Sequence, residues 1–596
     1  MVTEQHGAER TSGAHPSTSP VIQQRLGAIR FTDPWAAGLA VLFALFTVLG
    51  WSYRQTNTAR EFAGSWSAVL WSALAVIGFA VVFHVLLSVL FHWLDLRDAR
   101  RTKAANPTLR EALRRSFLPT FLPVAVVWLV WLAVHFPGNI DSDTITQRLQ
   151  WQGLQKRSDH HPWFDTMVFG WFWDFGRAIG NDALGLFSYL IVQVVALAAG
   201  VGLALCYLTT LGLGRRAQAV LALITAFWPI FLMVTPQMSK DSFAAIFWLP
   251  FLVLFTEGLR TRGRSLVRPL AGGSMVLASL LLVLSKRTNL YLIVLCLLVL
   301  LCTVAVRRVL PLIAGFAVVA GLSQGLWAGV ILPANHIAKP TSTDMFTLPI
   351  QQTARIAATH GNQIPPRERE VIDKVLRWNG LGKAYVPRRS DSAKGRWNTD
   401  ASAAEKSAYF GVWFDQLLRY PGTAASATAA NTFEYFAPVT RFDVVNENKF
   451  TRYIDFWTAR SYPTTGKARI QAMADRLDEP DALDGPRHRL NDVVTQVSQV
   501  PILGSKAFYA SWLPLLLLVA ALRRRNWFQV ACCTPFLVNL AFLFAGPVAL
   551  PRYLTSAVIV STFIVGLGMT NARWEPRRLV DEPAIKPTSE PAAAAQ

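Results

Sequence analysis

Long apolar runs broken by short polar loops set the character of this chain. Runs at 34–50, 117–135, 185–206, 269–284, 289–306, 309–332 and 526–549 approach or exceed the roughly 20 residues a helix needs to cross bilayer hydrocarbon. They are too continuous for core helices of a soluble domain, which keep one polar face. They show no period-2 alternation, and lipid tolerates only helices or closed barrels. The pattern therefore predicts an all-α polytopic membrane protein.

Charge orients the spans. The loop 95–116 holds Arg97, Arg100, Arg101, Lys103, Arg110, Arg114 and Arg115 against Asp95, Asp98 and Glu111, and basic loops stay in the cytoplasm. With that loop inside, about twelve transmembrane helices are expected. They fall near 34–52, 68–93, 117–135, 185–208, 217–234, 242–258, 269–285, 289–306, 309–332, 506–522, 526–548 and 553–571. Arg215/Arg216, Arg260–Arg268, Arg307/Arg308, Arg523–Arg525 and Arg573–Arg578 then all lie inside. The segment 163–180 would spoil this parity if it crossed. Its Asp165, Asp174 and Arg177, set among aromatics, suit a helix lying in the outer interface.

The same pass divides the chain. Residues 1–30 and 572–596 read as disordered cytoplasmic tails, rich in small and polar residues. Residues 31–332 form an N-terminal bundle with an outer loop at 136–180, and 506–571 supply the last spans. Between them, 333–505 reads as a small, mostly helical extracytoplasmic domain, with helical pieces at 365–378, 402–420 and 423–436. The expected location is the plasma membrane, with both termini cytoplasmic.

Composition agrees and excludes other classes. The 596 residues are 52% hydrophobic and 16% charged, too little charge for an ordinary soluble chain. The net charge of +21 lies largely in short loops between spans, where it sets orientation and meets anionic lipid rather than nucleic acid. Cys206, Cys296, Cys302, Cys532 and Cys533 all lie in apolar spans, so no disulfide framework is expected.

With this threading, five ionisable segments gather at the outer side: 138–144, 159–163, 237–242, 285–289 and 551–553. Charges held against the low-dielectric slab are costly unless paired or used, so they describe a site. Asp141 and Asp143 can hold a divalent cation (Mg or Mn), or one can serve as general base. Equally, Asp143 can cap the helix that follows, leaving Asp141 to act. His160 and His161 can contact substrate, shuttle a proton or anchor the interface beside Trp163.

Lys240 and Asp241 can pair, or Lys240 can meet a lipid phosphate. Lys286 and Arg287 lie outside against the positive-inside trend, and Arg552 starts the last span on the same face. Three such groups on the cation-poor side favour a bound phosphate. In the outer domain, Gln351, Gln352 and Arg355 can bind a hydroxyl-rich ligand or form a buried network. Span middles are nearly clean of ionisable groups, His84 excepted, which favours a surface enzyme over a transporter or flippase. A non-catalytic scaffold is the third reading.

The segments DSDTITQ, HHPW, SKDS, LPIQQTAR, RYPG with YFAP, and PRYL resemble an uncharacterised bacterial family of polytopic membrane proteins near the GT-C glycosyltransferases. The resemblance spans roughly 117–571. It implies a GT-C-like fold and inverting transfer of a sugar from a polyprenyl-phosphate donor to a glycan, lipid or protein acceptor on the outer side. It implies Asp141 or Asp143 as base or metal ligand. Topology, more than any family motif, adds Lys240, Lys286, Arg287 and Arg552 as donor-phosphate contacts. His160, His161, Asp241, Gln351, Gln352 and Arg355 would contact substrate. Two spans precede the motif-bearing one, and HHPW replaces the commoner H-P-P of that superfamily.

Overall fold

A computed structural model describes residues 29, 31–99, 106–340, 342–442, 466–477 and 481–575. The two predicted tails lie almost wholly outside these residues, as do Arg100, Arg101 and Lys103 of the basic loop.

The apolar runs form helices because only there can each backbone N–H and C=O find a partner without water. Among the described residues, eight helices are long and apolar enough to cross a membrane. They are Pro34–Thr56, Trp66–Ala99, Leu109–Val134, Asp182–Thr210, Lys240–Arg260, Val306–Ala334, Trp527–Phe544 and Pro551–Gly568. Their outer faces carry bare apolar side chains: Leu70, Trp71, Leu74, Ile77, Val81 and Leu86 are all exposed along one helix. Apolar surface on that scale belongs against lipid, and the chain is a multi-pass membrane protein.

The other predicted spans coincide with shorter helices. Pro269–Ser285, Asn289–Leu301 and Phe508–Arg523 are apolar but brief. The span expected at 217–234 is broken, with Arg215–Phe227 ending where Pro229 starts a six-residue helix. Trp228, just before the proline, is extended at ψ 125°, as proline requires of its predecessor. The helix Trp163–Ala178 is roughly 24 Å long by its rise per residue, and it buries one face through Phe169, Gly170 and Trp173. His84, mid-helix, points Nε2 at the Phe31 carbonyl, 2.7 Å away.

Ion pairs lock the ends. Arg523 reaches Asp33 at 2.5 Å and grips Asp95 with two bonds of 2.8 and 2.6 Å, fastening the first two helices to Phe508–Arg523. At the same end Arg260 bonds Glu257 and Glu575.

At the opposite end sit the helices Thr347–His360, Pro366–Leu376, Ala403–Arg419 and Pro421–Thr432. The first three close on a core that includes Ile350, Ile372, Leu376, Trp397 and Tyr409, and Pro421–Thr432 packs through Ala424 with Ile356 and Ile364. This small domain stands on the first helical hairpin. Tyr53 bonds Ser426 at 3.0 Å, and Arg388 bonds Asn57 Oδ1 at 2.9 Å. A Cβ on Gly50 would lie 1.9 Å from that of Ala437, so the close contact requires glycine there.

One strand pair, unforeseen from the sequence, matters more than its size suggests. Asn139–Ile140 runs parallel to Gln237–Met238, with Asn139 opposite Gln237 and Ile140 opposite Met238. It joins two of the five ionisable segments directly.

Candidate functional site

The site is built where chain ends of several helices meet. Gly138, at φ 95°, turns the chain out of Leu109–Val134, and Asn139 N–H bonds the Pro236 carbonyl at 2.8 Å. The strand pair follows, and Thr144 Oγ1 donates to the Met238 carbonyl at 2.8 Å. The helix Ser142–Trp151 is capped by Asp141, whose carboxylate accepts from Ser142 N–H at 2.6 Å. This corrects the expectation that Asp143 is the cap: Asp141 has the extended backbone a cap needs (ψ 161°), and Asp143 lies in the first turn.

Asp143 is the hub. Its Oδ2 lies 2.9 Å from Lys240 Nζ, 2.9 Å from Arg552 Nη1 and 3.4 Å from His161 Nδ1. The same Arg552 nitrogen is 3.3 Å from Asp141 Oδ2. Lys240 Nζ also donates to His161 Nδ1 at 3.2 Å, which leaves the imidazole proton on Nε2 in the neutral ring. Lys240 is set in place by its helix start, where Ser239 caps Ser242 N–H at 3.1 Å. Arg552 begins the turn that leads into Thr555–Gly568.

A second tier surrounds the hub. Lys286 Nζ pairs with Asp241 at 2.7 Å. Arg287 lies 3.4 Å from the Asp159 carboxylate and donates to its carbonyl at 2.6 Å. Asp159 also accepts from Trp163 N–H at 2.7 Å, holding the start of Trp163–Ala178. His160 packs edge-on to His161 with ring centres 4.8 Å apart, and lies 4.0 Å from Asp344 of the covering domain. Asp344 in turn bonds Lys394 at 2.5 Å. The Tyr553 ring faces Arg552 and Lys286, at 5.2 and 5.9 Å from its centre.

Electrostatics follow from this crowding. Burial alone would raise the Asp143 carboxyl, but Lys240 and Arg552 outweigh it and hold the group well below the usual carboxylate range. Burial, which Asp143 only partly offsets, pushes His161 well below an ordinary imidazole. Asp159 is raised by burial despite Arg287. Asp165 is fully buried, neither of its oxygens has a hydrogen-bond partner among the described residues, and burial raises it well above the carboxylate range.

The structure thus brings together Asp141, Asp143, His161, Lys240 and Arg552, with His160, Asp241, Lys286 and Arg287 around them. The adjacent Lys240 and Asp241 do not pair with each other. Lys240 goes to Asp143, and Asp241 to Lys286. The cations expected to await a phosphate are already matched to carboxylates: Arg552 and Lys240 to Asp141 and Asp143, Lys286 to Asp241, Arg287 to Asp159.

In the covering domain Gln351, Gln352 and Arg355 direct their donors into the protein, the buried network that is one of their two readings. Gln351 donates to the Val386 carbonyl at 2.7 Å, and Gln352 bonds Thr428 and Trp413 at 3.0 and 2.9 Å. Arg355 bonds Tyr385 and the carbonyls of Ser426 and Asn57. These are framework bonds, tying the domain together and to the first hairpin. Tyr553 lies in the PRYL segment, though only its neighbour Arg552 was singled out from the sequence; no short motif marks Asp344 and Lys394, which become part of the site only on folding.

The residues do not suit the divalent ion that the two carboxylates implied. Arg552 Nη1 lies close to both Asp141 and Asp143, and Lys240 Nζ takes the same Asp143 oxygen. A dication would have to displace like charges. No group of three His, Cys, Asp or Glu poised to hold a metal occurs among the described residues.

Comparison with known proteins gives one match. Residues 155–578 match a family described as "Family of unknown function (DUF6020)"; the matched region includes every second-tier residue and stops short of Asp141 and Asp143. No curated protein and no solved structure matches the chain.

Proposed function

Since the chain belongs to DUF6020, a family of unknown function, its role has to be argued from the site, and we propose that it is a multi-pass membrane glycosyltransferase. It takes a sugar from a polyprenyl-phosphate carrier and gives it to a glycan, lipid or protein acceptor of the cell envelope. In this reading twelve spans, four of them on short or broken helices, place both termini in the cytoplasm of a plasma-membrane protein. The site faces the extracytoplasmic side, in a GT-C-like arrangement.

One observation carries the reading. Asp143, on a helix just after one membrane span, is bridged by Lys240 and Arg552, each at the mouth of another span. A carboxylate and two cations at a lipid interface are the parts that transfer from a lipid phosphate needs. The cations hold the phosphate, and the carboxylate accepts the proton of the attacking hydroxyl. The acceptor oxygen bonds to the anomeric carbon from the face opposite the phosphate, which inverts the centre. The bond from that carbon to the phosphate oxygen breaks, its electron pair stays with the phosphate, and the hydroxyl proton ends on Asp143. His161, Asp141 and Tyr553 line the same place, with Asp344 and Lys394 at its edge.

The test is transfer by the purified full chain from radiolabelled polyprenyl-phosphate sugars to envelope extracts. Wild type should label a product that Asp143→Asn does not. A flippase or scaffold would give no labelled product with any lipid-linked sugar, and equal labelling by Asp143→Asn would remove the residue from the chemistry.

A further inference from the structure

The site as folded poses a problem for its own base. Asp143 Oδ2 is shared by Lys240 and Arg552 at 2.9 Å each, with His161 Nδ1 at 3.4 Å. A carboxylate so held accepts a proton only by giving up ion pairs. The other candidates are engaged too. Asp241 is tied to Lys286, Asp159 to Arg287 and Trp163 N–H, and the His161 Nδ1 lone pair to Lys240. Asp141 shares Arg552 and caps its helix.

The two cations are not fully committed to the carboxylates. Arg552 Nε and Nη1 are buried without a well-directed hydrogen bond, although Nη1 is close to both carboxylates. Charge proximity is satisfied there, but donor direction is not. Lys240 carries three protons and has two neighbours, Asp143 and His161, among its described contacts. Phosphate oxygens accept from such donors at least as well as a carboxylate, and bidentately from Arg.

We infer that Arg552 and Lys240 are handed from Asp143 to the departing lipid phosphate during transfer, so that one pair of cations serves both the base and the leaving group. The inference rests on the glycosyltransferase reading. Before reaction, Asp143 and the phosphodiester each carry one negative charge. Afterwards Asp143 is neutral, holding the acceptor's proton, and the phosphate monoester carries two. The summed charge beside Arg552 and Lys240 is unchanged, and only its position moves. Proton transfer to Asp143 and bond cleavage at the phosphate then assist each other. The charged and titratable groups facing Asp143 are Lys240, Arg552, His161, His160 and Tyr553, with Asp141 sharing Arg552. Of these, Arg552 and Lys240 lie within 2.9 Å of it.

The test needs no turnover. Infrared titration of the purified full chain, with Asp143→Asn subtracted to assign the band, gives the pH at which Asp143 protonates. A short-chain prenyl phosphate should raise that midpoint by about one unit or more; the singly charged prenyl methyl phosphate should raise it less. Lys240→Gln should show a raised midpoint with no phosphate added, and Arg552→Lys should show a smaller rise if the first variant does not fold. A midpoint that stays put or falls while the phosphate binds overturns the inference, as does failure of the phosphate to bind. The two readings separate cleanly. Sugar transfer without a response of Asp143 leaves the enzyme and removes the hand-over. A response without transfer to any acceptor keeps the sharing of Arg552 and Lys240 between Asp143 and a bound phosphate, but removes the glycosyltransferase and with it a hand-over during transfer.

Discussion

Arg552 Nη1 lies 2.9 Å from Asp143 Oδ2, joining the start of the last long helix to the first turn of Ser142–Trp151. Groups that act as a unit lose function together. Asp143→Asn and Arg552→Gln are each expected to lower transfer by about 100-fold or more, the scale of a lost acid–base group. The double variant should be little worse than either. Independent, multiplying losses in initial rates would show that the two residues act separately.

The helix that carries Asp143 is fixed by a buried pair. Arg148 bonds Asp182 at 2.6 Å, and the side chains are 1% and 7% exposed. Removing one partner strands the other charge, which costs about 3–5 kcal/mol. Arg148→Met should therefore lower the melting temperature in detergent sharply. Arg148→Met with Asp182→Leu should regain much of the loss, because a well-packed apolar pair is tolerated where a lone charge is not. A double variant no more stable than the single would refute the argument.

His161 gives the fold a pH dependence of known sign. Burial keeps the ring neutral in the folded chain, whereas the unfolded chain takes up a proton near pH ~6.5. Below that pH the unfolded state binds the extra proton, so stability falls as pH falls. Asp143, depressed below the ordinary carboxylate range, keeps its contribution throughout that window and loses it only in stronger acid. Wild type should lose melting temperature relative to His161→Gln between about pH 6.5 and 5. A constant difference would show that the ring is already protonated.

Two glycines separate strain from crowding. Gly138 has φ 95°, and a Cβ there would sit 2.1 Å from Leu190 Cδ1; Gly153 has φ 73° and open space around it. Gly153→Ala should cost about 1 kcal/mol through backbone strain alone. Gly138→Ala should cost more and lower transfer as well, because Gly138 aims the chain into the strand pair that seats Asp141. Equal losses in stability would show that Leu190 yields easily.

Orientation can be read with thiols. Cys302 is the exposed cysteine of five, on the end away from the covering domain. A membrane-impermeant maleimide added to intact cells should miss Cys302 and label Thr399→Cys, which is exposed in that domain. The reverse pattern would invert the topology and place the site in the cytoplasm.

Much of the fold was legible because the membrane imposes one strong rule on sequence: long apolar runs become helices. The broken helix at Trp228–Pro229 was less so, since hydropathy averages over a proline that the backbone cannot ignore. The site was legible as a set of segments, because charge beside lipid is conspicuous wherever it falls. Its wiring was not. Lys240 stands next to Asp241 in the chain yet pairs with Asp143, because successive residues on a helix point about 100° apart. Gln351, Gln352 and Arg355 allowed two readings, ligand contact or buried network, because buried amides and guanidinium seek partners of either kind. Asp344 and Lys394 enter through tertiary structure alone.

Asp159 N–H bonds the Ala338 carbonyl at 2.9 Å, and Ala338 N–H bonds the Arg157 carbonyl at 3.1 Å. This seam stitches the strip bearing His160 and His161 to the chain entering the covering domain. Ala338 and residues 157–159 are therefore bound to shift together, so displacing the start of that chain and unseating the imidazoles are a single motion.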